Sequence, residues 1–245
     1  MPVIQNPQER KQRAEQKRHD LLRFLRDELY TTPAVAGEVM QCGERAARQT
    51  IASMEKFNLV RRHVLQVLPG LPPITLVAIT SHGQAMAFDV DTEEVNDRIF
   101  EVGGYSLVYL SHKLDTQRLR LQAMQCGRVQ KWLPGESLGK LTKNVKRPDA
   151  VLLTADKVRV AVEIERTIKN RKRYEGILSS HLTAIKQGKW NRVVWTSPDE
   201  RISKRLQSLL KSIKRTQIAG IDTVLSEEHF KLLVFCTYTN FVDQL

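Results

Sequence analysis

The stretch RPDAVLLTADKVRVAVEIER, from Arg147 to Arg166, decides how the second half of the chain is read. Two apolar runs flank a polar turn at Asp156, which is the pattern of a β-hairpin. Each run also ends in acid: Asp149 opens the first, and Glu163 and Glu165 close the second. Side chains alternate faces along a strand, so Glu163 and Glu165 share one face while Val160, Val162 and Ile164 share the other. A turn centred on Asp156 sets Asp149 opposite Glu163 at roughly 5 Å. The expectation is that all three carboxylates meet at one point. Like charges that close repel, and a hard divalent cation offsets them. Mg²⁺ takes carboxylate oxygens and fills the rest of its shell with water and phosphate oxygens, and Mn²⁺ accepts similar donors. The competing arrangement is a set of surface salt bridges to Arg147, Arg159 and Arg166.

Around this strand pair, helical and extended patterns alternate. The spacing predicts a helix over 106–125, a strand over 129–133, a long basic helix over about 168–187 and the strand RVVWTS. A second basic helix follows over about 200–214, then a last strand near 232–236. Residues 105–245 therefore read as one mixed α/β domain covered on both faces. Lys and Arg greatly outnumber acids from Arg166 to Arg215, which predicts contact with a nucleic-acid backbone. Arg171, Lys172, Arg173 and Tyr174 in RKRYEGIL are the candidates. Trp190 and Trp195 read as core, with base stacking the alternative.

The first half has a different grammar. Residues 1–17 are polar and read as a basic arm, either frayed or forming a first solvated helical turn. From Arg18, the spacing Leu21, Leu22, Leu25, Leu29 fits a helix with one buried face. Thr32 and Pro33 signal a helix start, and a short helix over 34–41 ends at the Cys42-Gly43 turn. In GERAARQTIASMEKFN, Ala47, Ile51 and Met54 form one stripe while Arg45, Arg48, Gln49 and Lys56 project elsewhere, as in a recognition helix. LVRRHVLQVL and ITLVAIT, joined through PGLPP, read as a hairpin, and ITSHGQAMA as a strand leading into a helix. That order over 18–88 resembles a winged helix-turn-helix, a mostly α DNA-binding domain. The acidic stretch 89–104, ending in Gly103 and Gly104, reads as the connection between halves.

A second resemblance rests on Pro148-Asp149, thirteen intervening residues, then Glu163-Ile164-Glu165. This is similar to the PD-(D/E)xK motif of restriction-endonuclease-like nucleases. It implies that Asp149 and Glu163, helped by Glu165, hold Mg²⁺ or Mn²⁺. Glu165 stands where that family usually has Lys, so Lys169 or Lys172 is the substitute cation the resemblance suggests, with contact to backbone phosphates the alternative for both, and Glu136 in LPGESL is a further acidic candidate. The combination of halves, through RPDAVLL, VAVEIERT and RKRYEGIL, resembles the MobC-type relaxases of mobilisable plasmids and the replication-relaxation family. Membership implies a site- and strand-specific endonuclease that nicks a plasmid transfer origin beside accessory mobilisation proteins. The alternative is a non-catalytic DNA-binding replication or mobilisation regulator with a degenerate nuclease fold.

Composition agrees with a nucleic-acid partner. Thirty-nine Lys and Arg against 27 Asp and Glu leave a formal net charge of +12, which favours a polyanion. No apolar run is long enough for a membrane span and the first residues lack the apolar segment of a secretion signal, so a cytoplasmic location without membrane insertion is expected. Cys42, Cys126 and Cys236 are odd in number and far apart, and read as ordinary thiols. The six His show no close pairing of the kind a His-held relaxase metal needs. Tyr174 is the candidate if a tyrosine attacks DNA, its neighbouring cations favouring phenolate; the alternative is a ring packed into the fold with its hydroxyl hydrogen-bonded.

Overall fold

The computed structural model describes residues 6–66, 72–88, 98–101, 103, 106–139 and 145–245. The turn expected between the two strands of the first half, and most of the connection expected over 89–104, lie outside the described residues. The chain is mixed α/β, and among the described residues no helix is long and apolar enough to cross a membrane. It divides into two compact units, Met1–Gln117 and Arg118–Leu245.

The first unit opens with α1 (Pro7–Glu28). The expected arm is therefore largely helical. Asn6 accepts a hydrogen bond from the Gln8 N–H at 2.9 Å and Pro7 occupies the first helical position, a start signal that precedes the apolar stripe. The helix is mostly exposed until Leu21, where burial of Leu21, Leu22, Phe24 and Leu25 begins. Next come β1 (Tyr30–Thr31), α2 (Pro33–Val39), α3 (Glu44–Lys56), β2 (Val60–Leu65), β3 (Ile74–Ile79) and α4 (Ser81–Ala87). Thr32 caps α2 as expected, accepting from the Val35 N–H at 3.3 Å. Strands β2 and β3 are antiparallel, with Val60 opposite Ile79, and β1 adds to the other edge of β3. The central position of β3 accounts for its unbroken apolar run, because both faces are covered. Val77 and Ile79 join a core with Leu21, Leu25, Ala47, Ile51 and Met54, while Leu76 and Ala78 pack with Tyr30, Phe100 and Leu110.

Helix α5 (Leu107–Gln125) contains the division between the units. The second unit continues with β4 (Val129–Pro134), a 3₁₀ turn at Gly135–Ser137, β5 (Ala150–Thr154), β6 (Arg159–Ile164), α6 (Arg171–Lys186), β7 (Arg192–Ser197) and α7 (Glu200–Lys211). Then follow β8 (Arg215–Ile218), β9 (Ile221–Val224), α8 (Glu227–Lys231) and β10 (Leu233–Thr237). Five strands form one sheet in the order β10-β7-β6-β5-β4, and β8 and β9 form a separate hairpin. The β4-β5-β6 portion is antiparallel, whereas β6, β7 and β10 are parallel. Parallel neighbours need a crossover, which α6 provides between β6 and β7. One face of the sheet buries Val151, Ala161 and Trp195 with Tyr174, Leu178 and Leu182 of α6 and Leu206 and Leu210 of α7. The other buries Val160, Val162, Ile164 and Val194 with Leu119 and Ala123 of α5 and Phe241. Helix α6 starts three residues later than its apolar spacing suggests, because Asn170 caps it by accepting from the Arg173 N–H at 2.9 Å.

Two helical glycines test this packing with opposite signs. A Cβ on Gly83 in α4 would stand 2.0 Å from the Leu59 carbonyl oxygen, whereas one on Gly176 in α6 would meet nothing within 4 Å. Gly83→Ala is expected to destabilise the protein by about 1–3 kcal/mol through overpacking. Gly176→Ala should stabilise it by about 0.5–1 kcal/mol, because alanine surrenders less backbone freedom in a helix. Urea unfolding of both variants checks the pair.

Candidate functional site

The register of β5 against β6 places the acids. Ala150 lies opposite Val162 and Val151 opposite Ala161, as a turn centred on Asp156 requires. One residue beyond the last pair, the Asp149 N–H donates to the Val162 carbonyl at 3.0 Å and the Asp149 Oδ2 accepts from the Ile164 N–H at 2.7 Å. Asp149 and Glu163 therefore stand on adjacent strands at the same end of the sheet. Pro148 is held there too: the Gly135 N–H donates to the Asp149 carbonyl at 2.9 Å, and a Cβ on Gly135 would fall 2.0 Å from the Pro148 oxygen.

Both glutamates are buried, with about 3% of each exposed. A buried carboxylate needs replacement for its lost hydration. Glu163 has it twice: Lys146 Nζ lies 2.6 Å from Oε2, and His181 Nε2 lies 2.9 Å from Oε1. An ionised carboxylate only accepts, so the His181 nitrogen facing it carries the proton. The backbone N–H of Lys146 donates to Ser180 Oγ, so consecutive residues of α6 grip both members of the pair. Burial alone would push the Glu163 carboxyl up, but the Lys146 charge, the His181 hydrogen bond and charge, and the Lys146 hydrogen bond together hold it down to about 2. Glu163 is thus kept ionised.

Glu165 is neutralised separately, with Lys169 Nζ 2.7 Å from its Oε2. The three carboxylates are consequently not gathered into one ligand set. Among the described residues, no group of three or more His, Cys, Asp or Glu side chains stands ready to hold a metal ion. Glu163 and Glu165 alternate with Ile164 as strand geometry predicts, but each meets its own lysine. Lys169 accordingly serves Glu165, and Glu136 is exposed on the 3₁₀ turn, next to the Gly135 that clamps the Pro148-Asp149 segment.

Tyr174 corrects a second expectation. It is fully buried in the α6–sheet core, with its ring edge-on to Trp195 at 6.1 Å between centroids. Its hydroxyl accepts from the Lys169 N–H at 3.1 Å. Burial, together with the hydrogen bond and charge of Glu165, pushes the phenol well above its ordinary value, against the expected phenolate. The geometry matches the alternative of a packed ring and a bonded hydroxyl. Trp190 and Trp195 are also buried, which removes the base-stacking alternative for them. The cysteines are free thiols, and burial pushes Cys236 up to about 11.

The basic candidates divide by what they touch. Lys172 and Arg173 are exposed in the first turn of α6. Arg171 is exposed but engaged, reaching Glu175 at 2.9 Å and the Ser212 hydroxyl and carbonyl at 2.9 and 3.1 Å, where α7 ends. On α3, Arg45, Gln49 and Lys56 are exposed opposite buried Ala47, Ile51 and Met54, and Arg48 pairs with Glu44 one turn earlier. Arg62 on β2 is tied to Glu55 at 2.6 Å, with Arg61 exposed beside it.

Sequence reasoning missed Lys146 and His181. A signal existed for the histidine: it continues the apolar stripe Tyr174, Ile177, Leu178 at helical spacing, and an imidazole on such a face requires a buried partner. Comparison of the chain with protein-family models, with curated proteins and with solved structures finds no match in any of the three.

Because Glu163 is held at about 2 against an ordinary 4.5, the folded state prefers the ionised form. The resulting stabilisation is complete above the ordinary value and drains away as pH falls toward 2. The stability difference between the wild type and Glu163→Gln should therefore be constant near neutrality and shift against the wild type between about pH 4.5 and pH 2. Urea unfolding across that range measures it.

Proposed function

We propose that the protein is a divalent-metal-dependent, site- and strand-specific DNA endonuclease of the plasmid-mobilisation relaxase type. The observation that carries the reading is the β5–β6 register, which brings Asp149 and Glu163 to one end of adjacent strands. The order α5-β4-β5-β6-α6-β7, with an antiparallel meander followed by a parallel crossover, supports a restriction-endonuclease-like second unit. The order α1-β1-α2-α3-β2-β3, with β3 central, likewise supports a winged helix-turn-helix in the first.

In this reading, α3 lies in a major groove and offers Arg45, Arg48, Gln49 and Lys56, while Arg61 of β2 reaches the backbone beside it. Lys172 and Arg173 crowd the positive end of the α6 dipole, in a first turn that carries no acid of its own. A DNA phosphate would relieve that crowding. Asp149 and Glu163 suit Mg²⁺ or Mn²⁺, because one is accessible in part, the other is kept ionised, and these ions need only one or two carboxylates when phosphate oxygens complete the shell. A cation held there would supply charge to the phosphate and acidify a water. Glu165, neutralised by Lys169, shapes the strand end and is left out of the ligand pair. The attacking group is water, since the Tyr174 hydroxyl is enclosed. A cytoplasmic location, a transfer-origin substrate and accessory mobilisation partners belong to the same reading.

The second reading is a non-catalytic DNA-binding regulator. It is favoured by the pairing of Glu163 and Glu165 with lysines and by Glu165 at the position of the motif lysine. Incubating supercoiled origin plasmid with the protein, with and without Mg²⁺, separates the two. Nicking that needs the ion and falls by about a hundredfold or more in Asp149→Ala is expected. Sequence-specific binding with no nicking selects the regulator; full activity in Asp149→Ala rules out the Asp149–Glu163 metal site; a linear product indicates double-strand cleavage instead. Removing an α3 cation by Arg45→Ala should lower the slope of log affinity against log salt by roughly one. Fluorescence anisotropy with a labelled duplex measures that slope.

A further inference from the structure

We propose that Lys146 places its ammonium on the phosphate that is cut, supplying the cationic group that Glu165 removes from its usual place in the motif. The proposal rests on the nuclease reading and deepens it by assigning a residue outside the motif.

Three observations carry it. Lys146 lies three residues before Asp149, at the same sheet end as Asp149 and Glu163. Its position is fixed at both ends of the residue: the backbone N–H is bonded to Ser180 Oγ, and Nζ lies 2.6 Å from Glu163 Oε2. Its side chain nonetheless remains 38% exposed, the Glu163 side chain only 4%. An ammonium has three donors, so one can hold Glu163 while the others face an incoming anion. Lys169, a second lysine near these acids, is less exposed at 29% and bonded to Glu165, which is as deeply buried as Glu163. Withdrawing Lys169 would leave Glu165 without its ammonium. Withdrawing Lys146 toward a phosphate leaves Glu163 with His181. The two lysines thus differ in what each can release.

In the hydrolytic step, a water oxygen bonds to phosphorus and the bond from phosphorus to one ester oxygen breaks. The electron pair of that bond leaves with the departing oxygen, which takes up a proton, and the attacking water gives one up to solvent. Lys146 loses no proton. Its ammonium donates to a non-bridging oxygen, where negative charge gathers as the new bond forms.

The experiment compares wild type, Lys146→Gln and Asp149→Ala for nicking of supercoiled plasmid, for melting temperature and for Mn²⁺ affinity by calorimetry. For Lys146→Gln, nicking should fall by about a hundredfold, with the melting transition retained and Mn²⁺ bound no more weakly, because a competitor for Glu163 has been removed. A phosphorothioate at the cut site gives the decisive readout. Sulfur at one of the two non-bridging positions should slow the wild type but slow Lys146→Gln by a much smaller factor. A merely structural lysine would leave the two sulfur penalties equal, and that result overturns the assignment. So does Lys146→Gln nicking at the wild-type rate while Asp149→Ala is inactive, an outcome that leaves the nuclease reading standing. Wild-type protein that never nicks overturns the nuclease reading and the assignment with it; Asp149→Ala with full activity overturns the Asp149–Glu163 site, and the assignment with it. Should Lys146→Gln lack a melting transition, Lys146→Met is carried through the same measurements and decided by the same sulfur comparison.

Discussion

Burying one ionised carboxylate constrains most of the second unit. Glu163 lies at the end of a strand that is central in its sheet, with β5 on one side and β7 on the other, and so it cannot turn to solvent. Its charge must be met inside. Lys146 meets it from the segment before β5, and His181 meets it from the middle of α6. Those contacts relate three stretches distant in sequence: KRPD, AVEIE and SSHL. The crossover helix is thereby set in rotation on the sheet, since turning α6 by one residue would take His181 off Oε1 and Ser180 off the Lys146 backbone. Packing of Tyr174 and Leu178 on the same helix face follows from that setting.

How much of this was legible depends on whether the signal was local. Strand alternation in AVLLT and RVAVEI is a property of consecutive residues, and it led to the observed β5–β6 register. The helical stripe Ala47, Ile51, Met54 and the apolar run Val193-Val194-Trp195 of β7 were legible for the same reason. Elements without an apolar period were missed. Strand β1 has two residues, and the exposed hairpin β8–β9 is defined chiefly by its turn at Ala219-Gly220, where both residues have positive φ. The site was legible only in part. Strand geometry located the acids, whereas their partners come from segments that only the fold brings near. Tyr174 misled for a related reason: Arg173 and Lys172 are its neighbours in sequence, but a helix turns adjacent residues about 100° apart, and the ring enters the core while the cations stay outside.

The two lysines also bear on how the site would meet a phosphate. Metal-binding carboxylates left alone in a protein interior would repel one another and take up protons. Lys146 and His181 remove that tendency at Glu163, and the Ile164 N–H orients Asp149 Oδ2. On the nuclease reading, an arriving phosphate would bring negative charge to the same place, and the cation that compensates Glu163 would share its donors with it. The regulator reading uses the same ion pairs as final rather than exchangeable, so the two readings differ in whether Lys146 has a second partner, not in the fold.

The enclosed tyrosine sets the energetic character of the proposed cut. A nucleophilic tyrosine conserves the phosphodiester bond as a covalent protein–DNA link, and the strand can be resealed from it. Tyr174 would have to leave its contact with Trp195 and its hydrogen bond to the Lys169 backbone before its oxygen reached a phosphate, and burial holds its proton on. Attack by water needs none of those rearrangements. It also discards the bond energy, leaving free ends at the nick that the same site cannot rejoin. A site built this way favours release of a nicked strand over cycles of cutting and resealing, and any resealing would have to draw its energy from another reaction.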